Sequence, residues 1–184
     1  MLHSHNDYGD EHYPFFVTCS IVRWLPLFEL EPYRRIIVDS LAYVVAQKHA
    51  ELNAYVIMPT HVHAILWPAP DQRIGDILRD FKRFTSRAIS RLAEERNDTR
   101  CLAVFRETRQ AGRAQERSQY QVWQEGSHPE ALYSPAFARQ KLEYIHNNPV
   151  KAGLVSSAVQ WAYSSASSYW SGEEQALPVQ LLPL

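Results

Sequence analysis

The chain has 184 residues, 46% of them hydrophobic, and its 19 Lys and Arg against 20 Asp and Glu leave a formal net charge of −1. That is enough apolar material for one sizeable core, and near-neutrality excludes nucleic-acid binding by overall basicity, so any such affinity needs a local patch. Cys19 and Cys101 stand far apart in no metal-ligand spacing, which excludes a disulfide framework, and no run of about 18 apolar residues marks a membrane span.

Residues 1–14 are polar and acidic and read as a flexible tail, without the basic start and apolar stretch of a signal peptide. A cytoplasmic setting is the default. From Phe15 to Trp24, FFVTCSIVRW is β-branched and aromatic and predicts a first buried strand. Glu31-Pro32 starts a helix that runs to about Ala50, with Tyr33, Ile36, Ile37, Leu41, Val44 and Val45 on its buried face. Leu52 to Met58 is a second strand, Pro59-Thr60 a tight connection, and His61 to Trp67 a third strand returning beside it.

Ile74 to about Leu92 is helical, with Ile74, Ile77, Leu78, Phe81, Ala88, Ile89 and Leu92 on one side. Arg79, Arg83, Arg87 and Arg91 recur every fourth residue opposite, with Lys82 on a flank and Asp80 as the interleaved acid. Such a row is either a solvated face or a stripe that tracks phosphates. Residues 94–118 are rich in Arg, Glu and Gln, carry one apolar island at Leu102 to Phe105, and read as an exposed excursion. Tyr120 to Glu125 alternates like a strand. Ser134-Pro135 caps a last long helix, which is expected to stop near Asn148 because proline disfavours helical geometry in the residue before it. Trp161, Tyr163, Tyr169 and Trp170 then suggest a short docking segment, and the residues after 170 form an extension to one domain spanning 15–170. The element order predicts an α+β sandwich, an antiparallel sheet with two helices packed on one face.

The stretch AYVIMPTHVHAILWP, Ala54 to Pro68, holds two histidines at alternate positions of an apolar strand. Their side chains share a face roughly 7 Å apart along the backbone, a spacing that suits two imidazoles on one metal ion. On the last helix Tyr144 and Asn148 are four apart and share a face, with Gln140 and Lys141 one turn earlier. If the third strand is central and its histidines face that helix, Tyr144 comes over the metal. A tyrosine hydroxyl with a pKa of about 10 attacks a phosphodiester only with activation and charge relief. A divalent ion held by His61 and His63, with Asn148 as a natural third ligand, would polarise the scissile phosphate and orient it for in-line attack.

With those residues in view, the chain resembles the REP-associated tyrosine transposases among the single-tyrosine HUH (IS200-like) transposases. The likeness rests on MPTHVHAILWP, YIHNNPVKAGLV and WAYSSASSY, in order, and covers most of the chain from Phe15 to Tyr169. It implies a ferredoxin-like core, Mg²⁺ or Mn²⁺ on His61 and His63 assisted by Asn148, and Tyr144 as nucleophile on single-stranded DNA. It further implies hairpin-forming palindromic repeats as substrate and a 5′-phosphotyrosine intermediate. Arg79, Lys82, Arg83, Arg87 and Arg91, with Lys141 and Lys151, then form the DNA-contacting set. Related mobile enzymes often pair two subunits, which leaves monomer and homodimer both open. Two other readings stand beside this one, a hairpin binder without catalysis and a metal-dependent hydrolase without covalent chemistry. Tyr133 is the reserve nucleophile.

Overall fold

The computed structural model describes residues 13–47, 49–111, 119–126, 128–173 and 176–184. The tail expected over residues 1–14 lies almost wholly outside them, as do residues 112–118 of the expected excursion. Strands β1 (Phe15–Ser20), β2 (Ala50–Met58), β3 (His61–Pro68) and β4 (Glu130–Ala131) form one antiparallel sheet in the order β2-β3-β1-β4. This is the ferredoxin-like order, produced by two strand-helix-strand units whose first strands, β1 and β3, pair centrally.

Alternation along β3 divides the sheet into two faces. Val62, Ala64 and Leu66 point into the larger core with Val17, Cys19, Tyr55 and Ile57, beneath helices α1 (Glu31–Ala46) and α2 (Ile74–Glu95). Ile65 points the other way, with Phe16, Ala54 and Val56, against helix α4 (Pro135–Lys151). The expected pair of helices on one face is therefore present, and the helix bearing Tyr144 covers the other.

Several elements differ from expectation for identifiable reasons. Helix α1 stops at Ala46 because His49 is already tied to the end of β3, its carbonyl accepting from the Ala69 amide at 2.9 Å. The supposed excursion contains helix α3 (Thr99–Ala111), started by the Asp98 carboxylate accepting from the Cys101 amide at 3.1 Å. Cys101 and Phe105, one turn apart, are its buried anchors, a stripe too narrow to stand out among polar neighbours.

The strand expected over Tyr120 to Glu125 is reduced to a single bridge between Trp123 and Ile21, and β4 is a second short piece pairing with Phe15 and Phe16. The chain has more residues between these two pieces than β1 offers opposite, so regular pairing is interrupted. Helix α4 does begin as expected, with Ser134 Oγ accepting from the Phe137 amide at 3.3 Å. It does not stop at Asn148: Pro149 lies inside it, and Leu142, Ile145 and Pro149 are all buried. Packing of that face outweighs one missing backbone hydrogen bond. As a result Lys151 stays on the same helix as Tyr144.

The C-terminal segment closes the outer edge of β2. Ser164 bridges Val56, the Tyr163 carbonyl accepts from the Ile57 amide at 2.8 Å, and the Gln180 amide donates to the Leu52 carbonyl at 2.9 Å. Helix α5 (Ala166–Trp170) follows this bridge, and the Tyr169 hydroxyl donates to the Asn53 carbonyl at 2.8 Å. An edge strand that would otherwise present unpaired backbone groups is thereby covered. Among the described residues no helix is long and apolar enough to cross a membrane.

Candidate active site

His61 and His63 stand on the α4 face of β3, their ring centroids 4.7 Å apart and their planes 72° to each other. A threonine hydroxyl meets each ring at Nδ1: Thr18 Oγ1 is 2.8 Å from His63 Nδ1, and Thr60 Oγ1 is 2.9 Å from His61 Nδ1. Thr18 is the direct cross-strand partner of His63 on β1, and Thr60 is the turn residue just before His61. With both Nδ1 atoms occupied, Nε2 is the nitrogen left on each ring. His63 Nε2 is buried without a hydrogen-bond partner among the described residues, and His61 interacts with the Asn148 side chain.

Burial keeps both rings neutral at physiological pH. His61 lies below the usual imidazole range, burial outweighing the opposing hydrogen bond to Asn148. His63 is pushed down to about 3, by burial first and then by the charges of His61 and Lys141. Neutral imidazole is the form that binds a metal. Among the described residues no cluster of three or more His, Cys, Asp and Glu side chains is arranged to hold one, so any cation here would rest on the two imidazoles and an amide.

Helix α4 brings Tyr144 to this pair. Its ring lies 5.2 Å from that of His63 and 5.9 Å from that of Phe16, edge-on to both, and the side chain remains 40% exposed. Phe16 in turn stacks on His63 at 5.3 Å. Lys151, seven residues further along the helix, places Nζ 5.6 Å from the centre of the Tyr144 ring. An open pocket of about 570 Å³ lies against Tyr144, lined by Phe16, Thr18, His63, Glu130, Phe137, Gln140, Lys141, Glu143, Asn147 and Lys151. Lys141 pairs with Glu130 at 2.8 Å and sits 4.5 Å from the Phe16 ring centre. Tyr133 is 69% exposed at the start of α4 and leans on Phe137.

Of the residues singled out in the sequence, His61, His63, Tyr144, Asn148, Lys141 and Lys151 thus converge. The stripe on α2 does not join them. Ile77, Leu78 and Phe81 pack that helix onto the opposite face of the sheet, with Val17, Cys19 and Val62. Its charges are also partly neutralised locally. Arg79 pairs with Asp76 at 2.6 Å and Asp80 at 3.4 Å, Arg83 with Asp80 at 3.2 Å, and Arg91 with Glu95 at 2.9 Å. Lys82 donates to the carbonyls of Gln124 and Gly126 at 3.4 and 3.0 Å. Besides Asp80, Asp76 and Glu95 belong to the same charged face.

Phe16, Thr18, Thr60 and Glu130 join the site although no sequence signal singles them out for it. Phe16 and Thr18 share a face by strand alternation, but only the pairing of β1 with β3 shows that it is the histidine face.

His146 is turned away from this site. It is buried with Nε2 3.0 Å from Ser165 Oγ, beside Tyr169, and burial holds its pKa down at about 4. The unfolded chain therefore takes up this proton before the folded one does. Stability from the neutral ring is fully present above about pH 6.5 and is lost as pH falls from there to 4, with His63 acting in the same direction. For His146 the slope is about 1.4 kcal/mol per pH unit within that window. Urea unfolding of the metal-free protein at pH 7, 5.5 and 4.5 is expected to show this loss, and His146→Gln to remove about one proton's share of it. Parallel curves for the two proteins would refute the assignment.

The fold and the site define an α+β protein of ferredoxin-like order that places a tyrosine over a histidine pair. No family model and no curated protein sequence matches the chain. Among solved structures it is similar to a REP-associated tyrosine transposase bound to a REP hairpin, with a TM-score of 0.60 and 18% identity over 100% of this chain and 95% of that one. A protein of Deinococcus radiodurans, provisionally assigned as a transposase, aligns with a TM-score of 0.44 and 18% identity over 74% of this chain and 91% of that one. The resemblance expected from the motifs thus holds at the level of the fold.

Proposed function

We propose that this chain is a single-stranded DNA transesterase that cuts beside hairpins through Tyr144. The observation that carries the reading is the convergence of Tyr144 with His61, His63 and Asn148 from two separate elements. The likeness of the whole chain to a transposase bound to a REP hairpin supports the same substrate.

The residues fit a divalent cation. His63 Nε2 is a buried nitrogen without a partner among the described residues, the Thr18 and Thr60 hydroxyls hold both rings by Nδ1, and Asn148 adds a carbonyl oxygen beside His61. His61, His63 and Asn148 would hold Mg²⁺ or Mn²⁺, which when bound supplies charge relief at the scissile phosphate. The chain's own groups do the rest. Tyr144 Oη forms a bond to phosphorus as the bond from phosphorus to the 3′ oxygen breaks. The phenolic proton is balanced by the one taken up by that leaving oxygen, so the products are a 5′-phosphotyrosine and a free 3′-hydroxyl. Because the phosphotyrosine retains a phosphodiester linkage, a later 3′-hydroxyl can reverse the step without ATP. Phe16 and His63 hold the Tyr144 ring at its edge, and Lys151 puts positive charge beside the phenol as it loses its proton.

Incubation of the native protein with Mn²⁺ and a labelled hairpin with single-stranded flanks, taken from palindromic repeats near the gene, is expected to give a labelled adduct on a denaturing gel. Cleavage without an adduct would favour the hydrolase, and binding without cleavage the non-catalytic binder.

The geometry supports a ranking of the residues proposed to contact DNA. Lys141 and Lys151 line the Tyr144 pocket, whereas the α2 row lies on the other face of the sheet. Lys141→Ala with Lys151→Ala is expected to weaken hairpin binding and flatten its salt dependence by about two contacts, more than Arg83→Ala with Arg87→Ala. Fluorescence anisotropy across a salt series would reverse this ranking if the α2 stripe carried the strand.

A further inference from the structure

The turn that follows β1 has an unusual backbone. Arg23 and Trp24 both have φ of +52°, a left-handed conformation disfavoured for residues with a branched or bulky side chain. Its surroundings hold it there. The Val22 amide donates to the Val122 carbonyl and the Ile21 amide to the Thr60 carbonyl, each at 2.9 Å, and Arg23 pairs with Glu107 of α3 at 2.9 Å. Val22 and Leu25 supply the buried contacts of this turn. Trp24 does not: it is 57% exposed, standing edge-on to His61 with ring centroids 6.0 Å apart and planes at 83°. The strained turn thus presents an open indole face next to the histidine pair.

Its position complements the Tyr144 pocket. That pocket adjoins His63, and Trp24 adjoins His61, so the two flank the imidazole pair from its two members. We propose that Trp24 is a stacking platform for one unpaired nucleobase of the single-stranded substrate, next to the attacked phosphate and on the side away from the Tyr144 pocket. The inference rests on the DNA-cleaving reading above. An unpaired base is the fitting occupant because it has a free π-face, whereas both faces of a base within a duplex are taken by its neighbours. Indole offers the largest aromatic surface among side chains and accepts any base, so this subsite adds affinity and position without reading sequence.

The test uses the Tyr144→Phe protein, which is expected to bind without cleaving, and hairpin oligonucleotides with 2-aminopurine moved one position at a time through both single-stranded flanks. One position beside the cut is expected to be quenched on binding. Trp24→Gly in the same background should abolish that quenching and weaken binding about tenfold. Glycine also relieves the positive φ, so thermal stability should not fall, and Trp24→Phe should keep part of both effects. An abasic residue at the quenched position should weaken binding to the Trp24 protein by a similar factor and leave the Trp24→Gly protein unaffected. Equal binding and equal quenching with and without the indole would overturn the proposal while leaving the transesterase reading intact. Failure of both proteins to bind any hairpin would overturn that reading, and this proposal with it.

Discussion

Tyr144→Phe is expected to abolish the covalent protein–DNA adduct, lowering its rate of formation by on the order of 10⁴ or more. The substitution removes one oxygen and little else. The ring keeps its edge contacts with His63 and Phe16, and Lys151 keeps its place over the ring, so hairpin affinity and thermal stability should stay close to those of the native protein. A single-turnover assay with labelled hairpin and Mn²⁺, read on a denaturing gel, separates the possibilities. Tyr133→Phe should change nothing, because that side chain lies at the exposed start of α4 and leans on Phe137 instead of a histidine. Were the adduct to persist in Tyr144→Phe and vanish in Tyr133→Phe, the nucleophile would be misassigned. Cleavage persisting in both variants would put water in the tyrosine's place.

His63→Ala should have the second largest effect. Among the described residues this imidazole alone combines a buried, unpartnered Nε2, an Nδ1 set by Thr18, and contact with Tyr144. Removing it takes away a nitrogen that no neighbour replaces, so Mn²⁺ affinity should fall by at least about a hundredfold. Adduct formation at a fixed Mn²⁺ concentration should fall by roughly a thousandfold. Electron paramagnetic resonance of free Mn²⁺ reads the first quantity without any turnover, which separates loss of the cation from damage to the tyrosine. Retained affinity would exclude His63 as a ligand. Thr18→Val should give a smaller loss of the same kind, since it leaves the imidazole in place and removes only the hydroxyl that orients it.

The contrast among the charged residues shows where one-dimensional reasoning stops. Arg79, Arg83, Arg87 and Arg91 share a helix face by periodicity, and they do share one. Whether that face looks toward the histidines depends on which side of the sheet α2 packs, and it packs on the opposite side. Lys141 and Lys151, by contrast, both reach the Tyr144 pocket. For Lys151 this needed helix α4 to continue through Pro149, against the local preference of the chain.

What the sequence determined by itself was local or periodic. Alternation placed His61 and His63 on one side of β3, and the four-residue spacing placed Asn148 one turn from Tyr144. Ser134-Pro135 and Glu31-Pro32 set two helix starts, and the element order implied an antiparallel sheet with two helices on one face. Each follows from dihedral preference or from burying one apolar face, and both act over a few neighbouring residues. What only the tertiary structure decided was register and sidedness. The pairing of Thr18 with His63, the split fourth strand, the burial of Cys101 and Phe105, and the approach of Trp24 to His61 all join segments distant in the chain. Their physical cause is competition among long-range packings, in which the whole core selects one arrangement and no single segment contains the answer.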